Sequence, residues 1–157
     1  MTDRPPEPDL PDPPKPEAPS PEVQERIRRG AELTDRARFD EAQAELEAAR
    51  TLAPESVDVR ARLGILHFRR GRYLRAEEEL RWVLARDPDR AVAHHFLGEA
   101  LNRLERFDEA MESLERAIRL DPGNGKAHYI LGILYDRKHM PDKANEMYRR
   151  SRELSGP

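Results

Sequence analysis

The sequence predicts an all-α protein, an α-solenoid of four antiparallel helix pairs, and three observations lead to it. Glycine recurs at Gly30, Gly64, Gly98 and Gly132, alanine at Ala42, Ala76, Ala110 and Ala144, and proline at Pro54, Pro88 and Pro122, all with one period of 34. Helical apolar periodicity begins at residue 22 and continues through all four copies. Nine of the 14 prolines lie between Pro5 and Pro21, so the array is preceded by an extension of different character. A period of roughly 20–50 residues marks a stacked array, in which one unit cannot bury its apolar face alone.

The first element is an acidic, proline-rich tail, residues 1–22, with six acids against Arg4 and Lys15. Each proline fixes its own φ and pushes the preceding residue out of the helical region. Few apolar side chains are present to offset the entropy of ordering. The expectation is a disordered arm, biased to polyproline II and up to about 65 Å long at ~3.1 Å per residue. Its P-x-x-P spacings, Pro5 to Pro8 and Pro11 to Pro14, are of a kind that docks in aromatic grooves. The acidic flanks fit a solubilising spacer better, and folding back onto the basic face of the array is a third use.

Four repeats follow, at 23–56, 57–90, 91–124 and 125–157. The first carries Arg29-Gly30, Leu33, Phe39, Ala42, Leu46, Ala49 and Pro54. The second carries Leu63-Gly64, His67, Tyr73, Ala76, Leu80 and Pro88, and the third His94, Leu97-Gly98, Leu101, Phe107, Ala110, Leu114, Ala117 and Pro122. The fourth has His128, Leu131-Gly132, Tyr135, Ala144 and Tyr148. Small residues at the glycine and alanine positions suit a close crossing of two helices, toward the ~8 Å end of the usual spacing. Proline ends each second helix, and Asp87-Pro88 and Asp121-Pro122 read as a stop and a turn. The outermost units are more polar: Arg26 and Arg29 open the array, and Ser151 and Arg152 stand where the third repeat has Ala117 and Ile118. Terminal units of an array need a polar outer face. A complete four-repeat array is therefore expected, with Tyr148 and Leu154 as an apolar end that leaves homo-oligomerisation open.

Taken together these residues resemble the tetratricopeptide repeat pattern, a large residue, Leu-Gly, an aromatic, Ala, Phe or Leu, then Pro. The resemblance spans residues 23–157, about 86% of the 157-residue chain. It implies a right-handed superhelix whose first helices line a concave groove that binds peptides or partner helices. Carried over by position, that groove would take Ile27, Ala31, Thr34 and Asp35 from repeat one, and Ala61, Ile65, Phe68 and Arg69 from repeat two. Repeat three would give His95, Glu99, Asn102 and Arg103, and repeat four Lys126, Tyr129, Ile133, Asp136 and Arg137. Ile65, Phe68, Tyr129 and Ile133 either pack on neighbouring first helices or form contact pockets. Arg69, Arg103 and Arg137 share one repeat position, so they would form a ladder spaced ~8–10 Å apart, matched to an acidic extended or helical segment. In a chain with 24 arginines and four lysines, they also read as ordinary surface residues. The carboxylate clamp of co-chaperone relatives is absent. Its places hold Ile27, Ala31, Arg62, Val92 and Phe96 in one register, and Ala61, Ile65, Phe96, Lys126 and Ile130 in the next.

Composition and the remaining motifs narrow the function. No cysteine is present, which removes disulfides, thiolate metal sites and a cysteine nucleophile. His67, His94 and His128 fall at pattern positions of large core residues and read as core filling, not metal ligands, and His139 as a loop residue. No phosphate loop, nucleophile elbow or metal-ligand pair appears, so neither catalysis nor a cofactor is expected. Beyond residue 22 the chain carries 25 acids and 26 bases, too near neutral for a nucleic-acid partner. The period of 34 also differs from the 35 of RNA-binding pentatricopeptide arrays. No apolar run suggests a signal or a membrane span, so a cytoplasmic protein is expected. Trp82, on a second helix, should lie on the convex side, packed between repeats or forming a second contact surface. The expected function is a non-enzymatic scaffold or adaptor that holds a protein segment in its groove. The alternative is a structural subunit that assembles through repeat ends or convex face.

Overall fold

Residues 18–156 are described by the computed structural model, and the expected disorder of the tail falls largely outside them. Eight helices follow in chain order: α1 (Pro21–Asp35), α2 (Phe39–Leu52), α3 (Val57–Arg69), α4 (Tyr73–Arg86), α5 (Ala91–Arg103), α6 (Phe107–Leu120), α7 (Gly125–Arg137) and α8 (Pro141–Ser155). No strand occurs among the described residues. The first helix starts at Pro21, just ahead of the repeat boundary at 23, because Ser20 caps it and Pro21 occupies its first turn. Ser56 and Asn124 cap α3 and α7 in the same way, accepting from Val59 N at 3.3 Å and Ala127 N at 3.0 Å.

Every first helix ends in one closure. The amides of Arg38, Arg72, Arg106 and Met140 reach back to the carbonyls of Leu33, His67, Leu101 and Tyr135 at 2.8–3.0 Å. This wide loop needs a left-handed residue just past the helix. Ala37, Gly71, Glu105 and His139 supply it, at φ of 58°, 73°, 60° and 56°, again one period apart. One of the four is glycine, so the spacing of glycine and proline does not expose this part of the repeat. Every second helix that leads into a further repeat ends differently. Ala53, Asp87 and Asp121 take extended backbone at φ of −141°, −132° and −132°. The proline that follows each of them enforces that choice.

Packing begins at the repeated glycines. A Cβ on Gly30, Gly64 or Gly98 would stand 2.6, 2.8 or 2.6 Å from Cγ of Leu46, Leu80 or Leu114, and one on Gly132 would press into the Tyr148 ring. Ala42, Ala76, Ala110 and Ala144, each fully buried, complete the crossing from the second helix. The core lies in two clusters. Val23, Ala42, Leu46, Ala49, Val59, Leu63 and Leu66 join repeat one to α3, and the larger cluster runs from Ala61 to Ala144. Neighbouring first helices touch, α1 with α3 and α3 with α5, and no pair of second helices makes a comparable contact among the described residues. The first helices are therefore the inner layer. Ala144 is the one buried residue of α8.

The histidines divide. His67 and His128 are buried, and burial holds the His67 imidazole below its ordinary pKa. His94 is half-buried, with Nε2 2.8 Å from the Pro88 carbonyl oxygen. Trp82 packs against the larger cluster, with the Arg60 and Arg86 guanidiniums 4.4 and 3.6 Å from its ring centroid.

Gly98→Leu should lower stability by about 1–3 kcal/mol, because overpacking against Leu114 and the Ala110 carbonyl outweighs the gain in helix propensity. A thermal melt superimposable on wild type would contradict the assignment. Glu105→Gly should instead be neutral or stabilising by up to about 1 kcal/mol, since it relieves a left-handed residue. A clear drop in Tm would contradict that.

Candidate concave binding surface

The inner layer presents three zones along the array. The first is a mixed hollow. Ile27, Ala61, Ile65 and Val92 line about 390 Å³ together with Gln24, Asp58, Arg62 and Arg90, and Pro19 borders it at the chain's entry into α1. Val92 is 41% exposed, a large aliphatic residue left open to solvent in the first turn of α5. Sequence position marks Val92 only as a departure from the carboxylate clamp. A signal for its role is there all the same, because Val92 stands one period before Lys126, itself a groove residue by position.

The middle zone is polar and held by close ion-pair contacts, while His95 Nδ1 is buried without a hydrogen-bond partner. Glu99, on α5, holds Oε1 2.8 Å from His95 Nε2 one turn earlier and 2.7 Å from Lys126 Nζ of α7, an ion-pair contact across the two repeats. His95 and Glu99 are 6% and 5% exposed, so neither projects freely into the groove as a contact residue. Burial raises the Glu99 carboxyl, but the bonds from His95 and Lys126 outweigh it and hold the group below its ordinary pKa. The carboxylate thus ties two repeats together and contributes little free charge.

The third zone is aromatic and aliphatic. Tyr129 is 53% exposed and lies 5.8 Å from Tyr148, whose hydroxyl donates to Asp136 at 2.7 Å. Ile133 is half-buried beside it on α7. Phe68 instead turns into the array, its ring 5.4 Å from Phe96 and 5.8 Å from Tyr73. That contact joins repeats two and three and removes much of Phe68 from the surface. Asn102 is half-buried.

The three arginines of the ladder are exposed and occupy equivalent places, the final residues of α3, α5 and α7. Those places are on the rim. A cation there also complements the helix dipole. Arg137 lies over the Phe107 ring, 4.7 Å from its centroid. Arg69 and Arg103 have no carboxylate partner among the described residues. The surface is thus a partly apolar inner face, divided by a neutralised polar bridge and bordered on one side by arginines. Among the described residues no three His, Asp or Glu side chains converge as metal ligands, and no helix is long and apolar enough to cross a membrane.

Comparison with known proteins agrees with this architecture. The profile described as tetratricopeptide repeat matches residues 28–81, 61–125 and 103–155. No curated protein matches the chain. Among solved structures, MamA (residues 41 to the end) from Desulfovibrio magneticus RS-1 superposes at a TM-score of 0.74 with 26% identity, covering 85% of this chain and 75% of that one. MamA AMB-1 gives a TM-score of 0.68 at 28% identity over 85% of this chain and 73% of that one. A thermophilic TPR protein of Thermus thermophilus shares the fold at a TM-score of 0.74 and 24% identity, over 84% of this chain and 74% of that one.

Glu99→Ala should cost about 1–3 kcal/mol, because His95 and Lys126 lose their carboxylate neighbour at a buried position. Lys126→Ala should cost less than about 1 kcal/mol, since that side chain is 61% exposed. A group with a depressed folded pKa stabilises above its unfolded value, about 4.3 for Glu, and loses that contribution as pH falls through the folded value. The advantage of wild type over Glu99→Gln in urea melts should therefore shrink as pH falls below about 4.3. An advantage that persists unchanged well below that value would contradict the bridge.

Proposed function

The chain belongs to the tetratricopeptide repeat family, and on that premise we propose that it is a non-enzymatic scaffold whose concave face holds a segment of a partner protein. The observation that carries this reading is the run of part-exposed apolar side chains along the inner layer, Ile27, Ile65, Val92, Tyr129 and Ile133. Solvent-exposed apolar groups bordered by charge favour protein contact. The polar bridge His95–Glu99–Lys126 supports the reading too, since a carboxylate already neutralised does not repel an acidic ligand. Contact is then made mainly by apolar side chains, and Arg69 and Arg103 select for acidic residues at one rim. Arg137, already stacked on Phe107, contributes less. A cytoplasmic adaptor that brings two proteins together fits these features. Assembly through α8 is the alternative: its exposed side chains include the polar Asn145, Arg149 and Arg152, and Leu154 at 44% exposure is the apolar group it would use.

Two folded variants test the proposal. Ile65→Ser/Tyr129→Ala removes apolar contacts, and Arg69→Glu/Arg103→Glu/Arg137→Glu reverses the rim. Affinity capture from native lysate, with matched melting curves, should show a partner held by wild type and lost from the first variant, and weakened in the second. Retention of the same partner by both would place binding outside the concave face.

A further inference from the structure

The four repeats are joined along their loop edge by a pair that changes chemistry at one junction. Between repeats one and two, Arg70 donates to Asp40 at 2.8 Å. Between repeats three and four, Lys138 pairs with Asp108 at the same two repeat positions. At the middle junction those positions hold Leu74 and Leu104. The substitution does not produce a closed apolar contact. Leu74 is 63% exposed, and with Leu104 it lines a hollow of about 690 Å³ walled by Gly71, Arg72, Tyr73 and Arg75.

The border of this hollow is basic. Arg72 and Arg75 line it, are exposed and have no carboxylate partner among the described residues, and no carboxylate lines the hollow. The neighbouring acids are already engaged, Asp40 by Arg70, Asp108 by Lys138, and Glu77 and Glu109 by Arg81 and Arg106. Single exposed leucines are ordinary on protein surfaces. Here two leucines occupy positions that form an ion pair at the other junctions, and they share one hollow with an arginine border.

We propose that this middle loop edge is a second docking surface, separate from the concave face, for an extended acidic segment of a partner protein. One leucine-sized side chain of that segment enters between Leu74 and Leu104, and flanking carboxylates meet Arg72 and Arg75. The two leucines give the site its position along the array, because the flanking junctions are closed by Asp40–Arg70 and Asp108–Lys138. The proposal does not rest on the concave-face reading, and either can fail alone.

The test is an amide chemical-shift titration of the full isotope-labelled chain with a capped synthetic peptide holding one leucine between paired aspartates. The expected result is saturable shifts at residues 71–75 and 104, with at least about tenfold weaker binding of the same peptide carrying serine for leucine. The rebuilt chain Leu74→Asp/Leu104→Lys restores the pair used at the other junctions. It should melt within a few degrees of wild type and bind at least about tenfold more weakly. If the rebuilt chain does not fold, Leu74→Ser, at an exposed position, takes its place with the same expectation. No shifts up to about 1 mM peptide, shifts confined to Ile65, Tyr129 and Ile133, or equal affinity for the rebuilt chain would overturn the proposal. The second of those outcomes would leave the concave-face reading standing.

Discussion

Everything else in this molecule depends on the contact between a glycine of one helix and a leucine of its partner. At Gly30, Gly64 and Gly98 the missing Cβ is the space in which Leu46, Leu80 and Leu114 sit. That contact sets how closely the two helices of a pair approach, and four copies of one crossing give four pairs of nearly one geometry. Similar pairs can stack only by placing equivalent helices side by side. The first helices fall on the inside because α1 packs on α3 and α3 on α5, while no pair of second helices packs comparably among the described residues. At Gly132 the partner is Tyr148, an aromatic in place of leucine. Its hydroxyl end then reaches Asp136, and its ring supports the exposed Tyr129. A departure in the last repeat thus builds part of the surface proposed for binding.

Charge has two jobs in this array, and burial separates them. Exposed pairs within one helix or its first turn, such as Arg28 with Glu25 or Arg38 with Glu41, keep a highly charged chain solvated and contribute little each. Pairs between neighbouring helix pairs fix register. Arg90 joins the start of α5 to Asp58 of α3, and Arg106 joins the start of α6 to Glu77 of α4. Lys126 to Glu99 is the most buried of these on the carboxylate side, and it lies where the groove would otherwise present a bare negative charge. A ligand that enters the concave face therefore meets a surface whose strongest electrostatic demand is already met, and shape with apolar contact decides what binds.

Much of this was legible in the sequence, for reasons that particular residues illustrate. Gly98, Ala110 and Pro122 recur because each meets a backbone requirement that few other residues satisfy, so the period and the helix pairs can be counted directly. The left-handed closure was not visible, because Ala37, Glu105 and His139 take that conformation without being glycine. Repeat position placed the inner-layer residues correctly by helix but not by depth. His95 and Glu99 share a face with Tyr129, yet they are buried and it is half exposed. Depth depends on what the neighbouring repeat places opposite, and Lys126 of repeat four does that for Glu99 here. The arginine ladder was legible as a period, but its place at the ends of α3, α5 and α7 follows from where each helix stops. The middle loop edge was missed for a related reason. Leu74 and Leu104 become notable only when their counterparts are seen to pair, and that pairing spans the junction between two repeats.

The central claim is that the inner layer of first helices is the working surface. Hydrogen–deuterium exchange of the full chain, alone and with its captured partner, tests it most directly. The account predicts new protection in α3, α5 and α7, centred on the turns carrying Ile65, Val92 and Tyr129, with α4 and α6 unchanged. Protection confined to α4, α6 or the outer side of α8 would contradict it and move the function to the convex face or the end of the array.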